Sequence, residues 1–175
     1  MIDGVHHARE LTTISQVVFT MIQLLHGYEH ADEEMIALMQ NAAIVFIPTV
    51  NVDGFTYISD NYKETGKLDY IRKNRHIYPL MESCRKAESE GVDLNRNYGY
   101  QFGFDNDGSG RSPCSEDYRG PDAFSEPETK AMRDFILQHP NVKIALNFHA
   151  WGPLFITPYN WDSRGQNRDV PPKAQ

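Results

Sequence analysis

The sequence predicts an α/β fold. Segments with helical periodicity alternate with short apolar runs rich in β-branched residues. The residues with the most chemical potential follow the ends of those runs, where open α/β sheets gather their ligands. No internal repeat, low-complexity tract or domain boundary interrupts the pattern, so residues 1–175 read as one unit.

The first run, residues 2–5, ends in Val5 and leads into His6-His7-Ala8-Arg9-Glu10. A helix is expected from about residue 11 to residue 27. Ile14, Val17, Val18, Met21, Leu24 and Leu25 recur at spacings of three and four and form one apolar face, with Gly27 as a stop. A short second helix is expected over residues 32–39, where Asp32, Glu33 and Glu34 suit the positive end of the helix dipole. Residues 42–48 read as a buried strand. The Asp53-Gly54 pair that follows reads as a turn. Residues 62–120 are rich in Gly, Asn, Asp and Ser with little periodicity, and a long irregular stretch in a compact domain is usually functional. The clearest helix opens at Ser125, with Glu128 completing a capping box, Pro127 in the first turn, and Ala131, Met132, Phe135 and Ile136 on its buried face. His139-Pro140 ends it. Residues 142–148 form the last strand, and His149 stands at its carboxyl end.

Composition narrows the function classes. Hydrophobic residues make up 40% and charged residues 23%, the balance of a globular protein that buries a core rather than of a disordered chain. A formal charge of -7 argues against a general nucleic-acid binder, which needs a basic face. The apolar runs are too short to span a bilayer. The chain opens directly on a functional-looking stretch, shows no secretory signal, and closes in polar, Pro-containing sequence. Both ends therefore read as truncations of something longer.

Three stretches carry chemistry. In His7-Ala8-Arg9-Glu10 the imidazole and carboxylate are three apart, so both can reach one ion, and both are good zinc ligands. His6, four from Glu10, is a competing ligand. Alone, the element also reads as a solvated helix start. His149 is the best candidate for a distant third ligand, against the ordinary fate of a partly buried histidine. No H-E-x-x-H helix occurs. In Gly91-Val92-Asp93-Leu94-Asn95-Arg96-Asn97, an arginine fork beside an asparagine amide suits a carboxylate receptor, although Asp and Asn also bond their own backbone in turns. Ile71-Arg72-Lys73-Asn74-Arg75 is a cationic stretch. Beside a zinc site it would polarise a carbonyl and hold a developing oxyanion; elsewhere it is a solvated loop.

The order of these stretches and their flanks resembles the zinc metallocarboxypeptidases of the pancreatic carboxypeptidase A/B type. The likeness runs from Asp3 to about Trp161. It takes in Gly4-x-x-His7-Ala8-Arg9-Glu10, Asn51-Val52-Asp53-Gly54-Phe55, Arg72-Lys73-Asn74-Arg75 and the 91–97 segment. Ser112-Pro113-Cys114-Ser115-Glu116, Gly120, Ser125-Glu126, Phe148-His149-Ala150 and Pro158-Tyr159 continue it. The resemblance implies a mixed central sheet with flanking helices, truncated at both ends, and a single partial peptidase catalytic domain over residues 1–175. It implies one zinc ion on His7, Glu10 and His149, which decides between His6 and His7. Arg72 would polarise the scissile carbonyl, Asn95 and Arg96 would grip the substrate's terminal carboxylate, and Arg9 and Trp151 would line the approach of the peptide. Pro158-Tyr159 would match a region with a cis peptide bond.

The implied activity is hydrolysis of the C-terminal residue of peptides and proteins by a zinc-activated water, in a monomer without nucleic-acid or membrane partners. The resemblance also implies that the general-base glutamate, the tyrosine that closes over the substrate and the residue that sets side-chain preference lie beyond Gln175. The chain taken alone therefore has a second reading, a non-catalytic zinc or peptide C-terminus binder. Cys84 and Cys114 match a disulfide pair in the family. Closing that loop would contribute about 3 kcal/mol in the chain-entropy picture and brace Asn95 and Arg96. A disulfide implies an oxidising compartment, hence an extracellular or secretory-lumen location.

Overall fold

The structure is a computed structural model that describes residues 1–79, 81, 84, 90–156 and 161. Pro158, Tyr159, residues 85–89 and the polar stretch 168–175 lie outside the described residues.

Three strands form one sheet in the order β2–β1–β3, with β1 (Ile2–Gly4) in the centre, β2 (Phe46–Ile47) on one side and β3 (Leu146–Phe148) on the other. Both pairings are parallel, with Ile2 opposite Phe46 and Leu146, and Asp3 opposite Ile47 and Asn147. The sheet is α/β as expected. The antiparallel pairing that a mixed sheet adds is not among the described strands. Both outer strands are shorter than their apolar runs suggest, since each has β1 on one edge only and neither is fully buried.

Helix α1 (Thr12–Glu29) lays Thr13 and Val17 into the core, with Ile14, Val18, Met21 and Leu24 half-buried beside them; Leu25 is exposed. It runs past Gly27, the expected stop. A Cβ on Gly27 would come within 2.5 Å of Met35 Cγ, so the glycine serves the close approach of α2 rather than the end of α1. Helix α2 (Glu33–Asn41) starts one residue after Asp32, whose carboxylate accepts from the Glu34 and Met35 amides as an N-cap.

The expected turn at Asp53-Gly54 is instead the first turn of α3 (Val52–Thr65). Asn51 caps it by accepting from the Gly54 amide at 3.0 Å, and Gly66 in the left-handed region closes it. Helix α4 (Pro127–Gln138) has Glu126 rather than Ser125 at its N-cap, and no capping box forms. Ser125 Oγ is engaged elsewhere, donating to Glu126 Oε1 and receiving the Asn97 amide. The buried face of α4 is Thr129 and Met132, while Ala131 and Ile136 are exposed. The described residues between α3 and α4 are mostly irregular, as expected, and Leu94–Arg96 forms a 3-10 turn.

Small buried clusters hold the site from below. Ala8, Ile58 and Ile71 pack together, joining the His7 turn, α3 and the 72–75 segment. Val50, Leu94 and Met132 join the β2 exit, the 91–97 segment and α4.

Candidate functional site

The site lies beyond the carboxyl ends of β1 and β3. Val5 leaves β1 with a φ of 53°, a conformation rare for a β-branched residue, and the chain turns there into His6 and His7, which meet different partners. Backbone bonds fix this turn on several sides. The Asn51 amide donates to Val5 O at 2.9 Å and the Ala8 amide to Arg72 O at 3.1 Å. Asn51 Nδ2 donates to His6 O at 3.1 Å.

His7 and His149 converge on Glu10. His7 Nδ1 is 2.7 Å from Glu10 Oε1, His149 Nδ1 is 2.9 Å from Glu10 Oε2, and the two ring nitrogens are 3.2 Å apart. The Ala150 amide also donates to Glu10 Oε2, at 3.0 Å. Among the described residues this is the one group of three that could hold a metal. The donor set fits zinc. Each of the three residues offers one imidazole nitrogen or carboxylate oxygen, and these atoms all lie within 4.8 Å of one another.

His6 is not in this group. It is 1% exposed, with Nε2 at 2.6 Å from the Tyr98 hydroxyl and Nδ1 at 2.7 Å from Asn147 Nδ2. Burial pushes its pKa down to about 3, so the ring is neutral. Asp3 lies next to it, 1% exposed, with Oδ1 lacking a hydrogen-bond partner, and burial pushes its carboxyl up to about 7.

The residue that the sequence reading undervalued is Asp93. It caps the Leu94–Arg96 turn by accepting from the Asn95 amide, as a turn aspartate does. It also accepts from His7 Nε2 at 3.1 Å and from Arg72 Nε at 2.8 Å. One fully buried carboxylate thus orients the His7 imidazole and the nearby guanidinium. Burial alone would raise its pKa, but the bond from His7 and the charges of His7 and Arg72 outweigh it and hold the carboxyl down at about 2. His7 responds in the opposite sense: burial disfavours its charge, and the bonds to Asp93 and Glu10 win, raising its pKa. Glu10 is held well below the ordinary carboxylate range, since bonds from His149 and His7 overcome its burial. The signal for Asp93 was its place two residues before Asn95-Arg96, because a metal-bound histidine usually gives its second nitrogen to a carboxylate.

The other expected residues surround this cluster. Arg72 NH1 is 3.4 Å from His7 Nδ1, so the guanidinium flanks the three donors. Asn95 Nδ2 is 3.3 Å from His149 Nε2. Arg96 donates from Nε to Gly108 O and from NH1 to Asn95 O. Asn95 and Arg96 line a cavity of 690 Å³ whose walls include Tyr98, Phe104, Asp107 and Trp161. Arg9 lies farther out, paired with Glu116 at 3.2 Å and stacked 4.3 Å from the Tyr70 ring centroid. Trp151, two residues after His149, is 92% exposed and follows a cis peptide bond from Ala150. Cys84 and Cys114 are disulfide-bonded, and the buried Lys73 donates to the carbonyls of Pro113 and Ser115 on either side of Cys114.

Fold and site together define an α/β protein with a His, Glu, His donor set at the carboxyl ends of parallel strands and a guanidinium-lined cavity beside it. The zinc carboxypeptidase family profile matches residues 1–174. The chain belongs to the zinc carboxypeptidase family. It is 34% identical over 172 residues to a metallocarboxypeptidase A-like protein of Trichophyton verrucosum, an alignment covering 95% of this chain and 36% of the relative. It is 32% identical to carboxypeptidase B of Astacus astacus, covering 93% and 48%. Among solved structures it is similar to carboxypeptidase A from Helicoverpa armigera, with a TM-score of 0.66, 31% identity, and 87% of this chain and 33% of that one covered. Bovine thrombin-activatable fibrinolysis inhibitor, solved in complex with tick carboxypeptidase inhibitor, gives a TM-score of 0.62 at 28% identity, covering 86% and 45%. The chain thus spans between a third and a half of the length of these proteins.

Proposed function

We propose that this chain is part of the catalytic domain of a zinc-dependent carboxypeptidase that removes the C-terminal residue of peptides. The observation that carries the reading is the convergence of His7, Glu10 and His149 beside a cavity lined by Asn95 and Arg96. His7, Glu10 and His149 would hold one zinc ion. Zinc at such a site supplies Lewis acidity toward a carbonyl and acidifies a water to a pKa of about 7.

The chain's own residues do the rest. Asp93 fixes the tautomer and orientation of His7 by accepting from Nε2, which leaves Nδ1 for the metal. Arg72, anchored on Asp93, holds a guanidinium beside the donors, where it would donate to the oxyanion that develops on a scissile carbonyl. Asn95 and Arg96 would bind the free terminal carboxylate, which an internal peptide bond cannot offer. That makes exopeptidase selectivity an electrostatic property. Arg9 and Trp151 would line the approach of the upstream peptide. The disulfide supports an extracellular or secretory-lumen location.

The test uses the full-length protein with N-blocked dipeptides carrying free or amidated C-termini. Stoichiometric zinc and strong preference for the free form are expected. Arg96→Ala should abolish most of that preference while leaving zinc content unchanged. Stoichiometric zinc with no hydrolysis of either form would favour a C-terminus-binding relative, and no zinc at all would remove both readings.

A further inference from the structure

We propose that His6, Asn147 and Tyr98 form a positioning clasp that sets the spacing of the two strand ends bearing His7 and His149 and ties it to the wall of the adjoining cavity. The proposal rests on the zinc reading above. The ladder between β1 and β3 ends at the Gly4–Phe148 pair, before either histidine ligand. Beyond that pair, the strand ladder no longer fixes how far apart the two strand ends stand. A donor set for one ion tolerates errors of only about 0.2 Å in its distances.

The clasp reaches from inside the ladder, at Asn147 opposite Asp3, to His6, two residues past the last pair. His6 is the residue before one ligand, and Asn147 is two residues before the other. Asn147 Nδ2 donates to His6 Nδ1 at 2.7 Å, joining the end of β3 to the exit of β1. With Nδ1 accepting, the neutral ring carries its proton on Nε2 and donates it to the Tyr98 hydroxyl at 2.6 Å. Tyr98 lies one residue after the 91–97 segment that carries Asp93, Asn95 and Arg96, and its ring lines the cavity with Asn95 and Arg96. A single chain of two hydrogen bonds therefore links β3, β1 and the cavity wall. The tilted contact of the His6 and His149 rings, 5.9 Å between centroids, brings the clasp against the third ligand as well.

The competing account is that Asn147 and Tyr98 merely satisfy a buried histidine. The two accounts differ in what an apolar residue at position 6 does. If His6 only needs partners, His6→Leu changes stability and leaves metal affinity alone. If it positions the ligands, metal affinity falls in variants that stay folded.

The experiment measures zinc dissociation constants on the full-length protein by chelator competition, with folding checked by circular dichroism. His6→Leu and Asn147→Leu should each weaken zinc about 10- to 100-fold, the range for residues that orient ligands. The double variant should be no worse than the weaker single, because the two act as one unit. His6→Gln, which keeps a hydrogen-bonding side chain, should recover most of the affinity. Cobalt-substituted His6→Leu should show an altered visible spectrum, a signature of ligand geometry. Parent-like zinc affinity in the folded single variants, or additive losses in the double, overturns the clasp. Should the leucine variants fail to fold, Tyr98→Phe decides: removal of one hydroxyl should weaken zinc several-fold, and unchanged affinity overturns the proposal. A parent protein that binds no zinc removes the zinc reading first, and the clasp with it.

Discussion

Asp93 shows how one side chain serves several parts of the site. It is fully buried and accepts hydrogen bonds from His7, Arg72 and the Asn95 amide. Asp93→Asn keeps the shape but replaces one acceptor oxygen with a donor, which cannot accept from both His7 and Arg72. The variant should bind zinc about 10- to 100-fold more weakly by chelator competition, with helix content unchanged. Unaltered affinity would mean that His7 is oriented by Glu10 alone. At this scale the sequence was informative where a residue type has few uses. His7, Glu10 and His149 were legible as candidates, but only the resemblance separated His7 from His6. The structure separates the two by their partners: His7 meets Glu10 and Asp93, and His6 meets Tyr98 and Asn147.

Among the elements, α3 is the instructive case. Asp53-Gly54 looks like a turn because glycine disfavours helix interiors. The glycine is there because the helix start passes close to the His7–Glu10 turn: a Cβ on Gly54 would lie 2.7 Å from Ala8 Cβ and 2.6 Å from Asn51 Oδ1. Such a requirement is tertiary and leaves no mark on local periodicity. Gly54→Val should destabilise the protein by about 2 kcal/mol in urea unfolding, and it should weaken zinc as well, since Ala8 sits between His7 and Glu10. Wild-type stability would show that the turn yields without strain. The capping box expected at Ser125 failed for a related reason. Ser125 is drawn into the Asn97 and Glu126 network, so a distant partner outcompetes the local one. Helix α1 was legible because its apolar stripe is long and regular, which is the condition under which periodicity is informative.

For the whole molecule, Glu126 ties together segments that sequence separates widely. Its buried carboxylate receives Asn74 Nδ2 at 2.7 Å, the Tyr78 hydroxyl at 2.7 Å and Ser125 Oγ at 2.7 Å, with His76 Nδ1 at 2.9 Å. Burial by itself would raise the pKa of Glu126, but these bonds outweigh it and hold the group below the ordinary carboxylate value. The folded state therefore binds this proton less readily than the unfolded chain. The stabilisation is fully present above the ordinary value near 4.5 and is lost as pH falls through the lower folded value. Urea midpoints should drop over that acidic window, and Glu126→Gln should be less stable at pH 7 with a shallower acid dependence. An unchanged acid limb in that variant would place the acid sensitivity elsewhere. Asn74, held by Glu126, also pairs with Val92 through its backbone amide and side chain, so the same network keeps the 72–75 and 91–97 segments side by side.

The covalent link between Cys84 and Cys114 divides the site topologically. Its loop encloses Asp93, Asn95 and Arg96, whereas His7, Glu10 and His149 all lie outside it. The machinery that would grip a chain end and the machinery that would hold the ion thus sit on separately tethered lengths of polypeptide. Reducing agent acts directly on only one of them. A reduced protein should lose affinity for C-terminal carboxylates and also bind zinc more weakly, because Asp93 inside the loop orients His7; full zinc affinity after reduction would show that Asp93 keeps its place without the link. A redox event at this link would thus reach His7, Glu10 and His149 second-hand, through the side chains that the loop lends them.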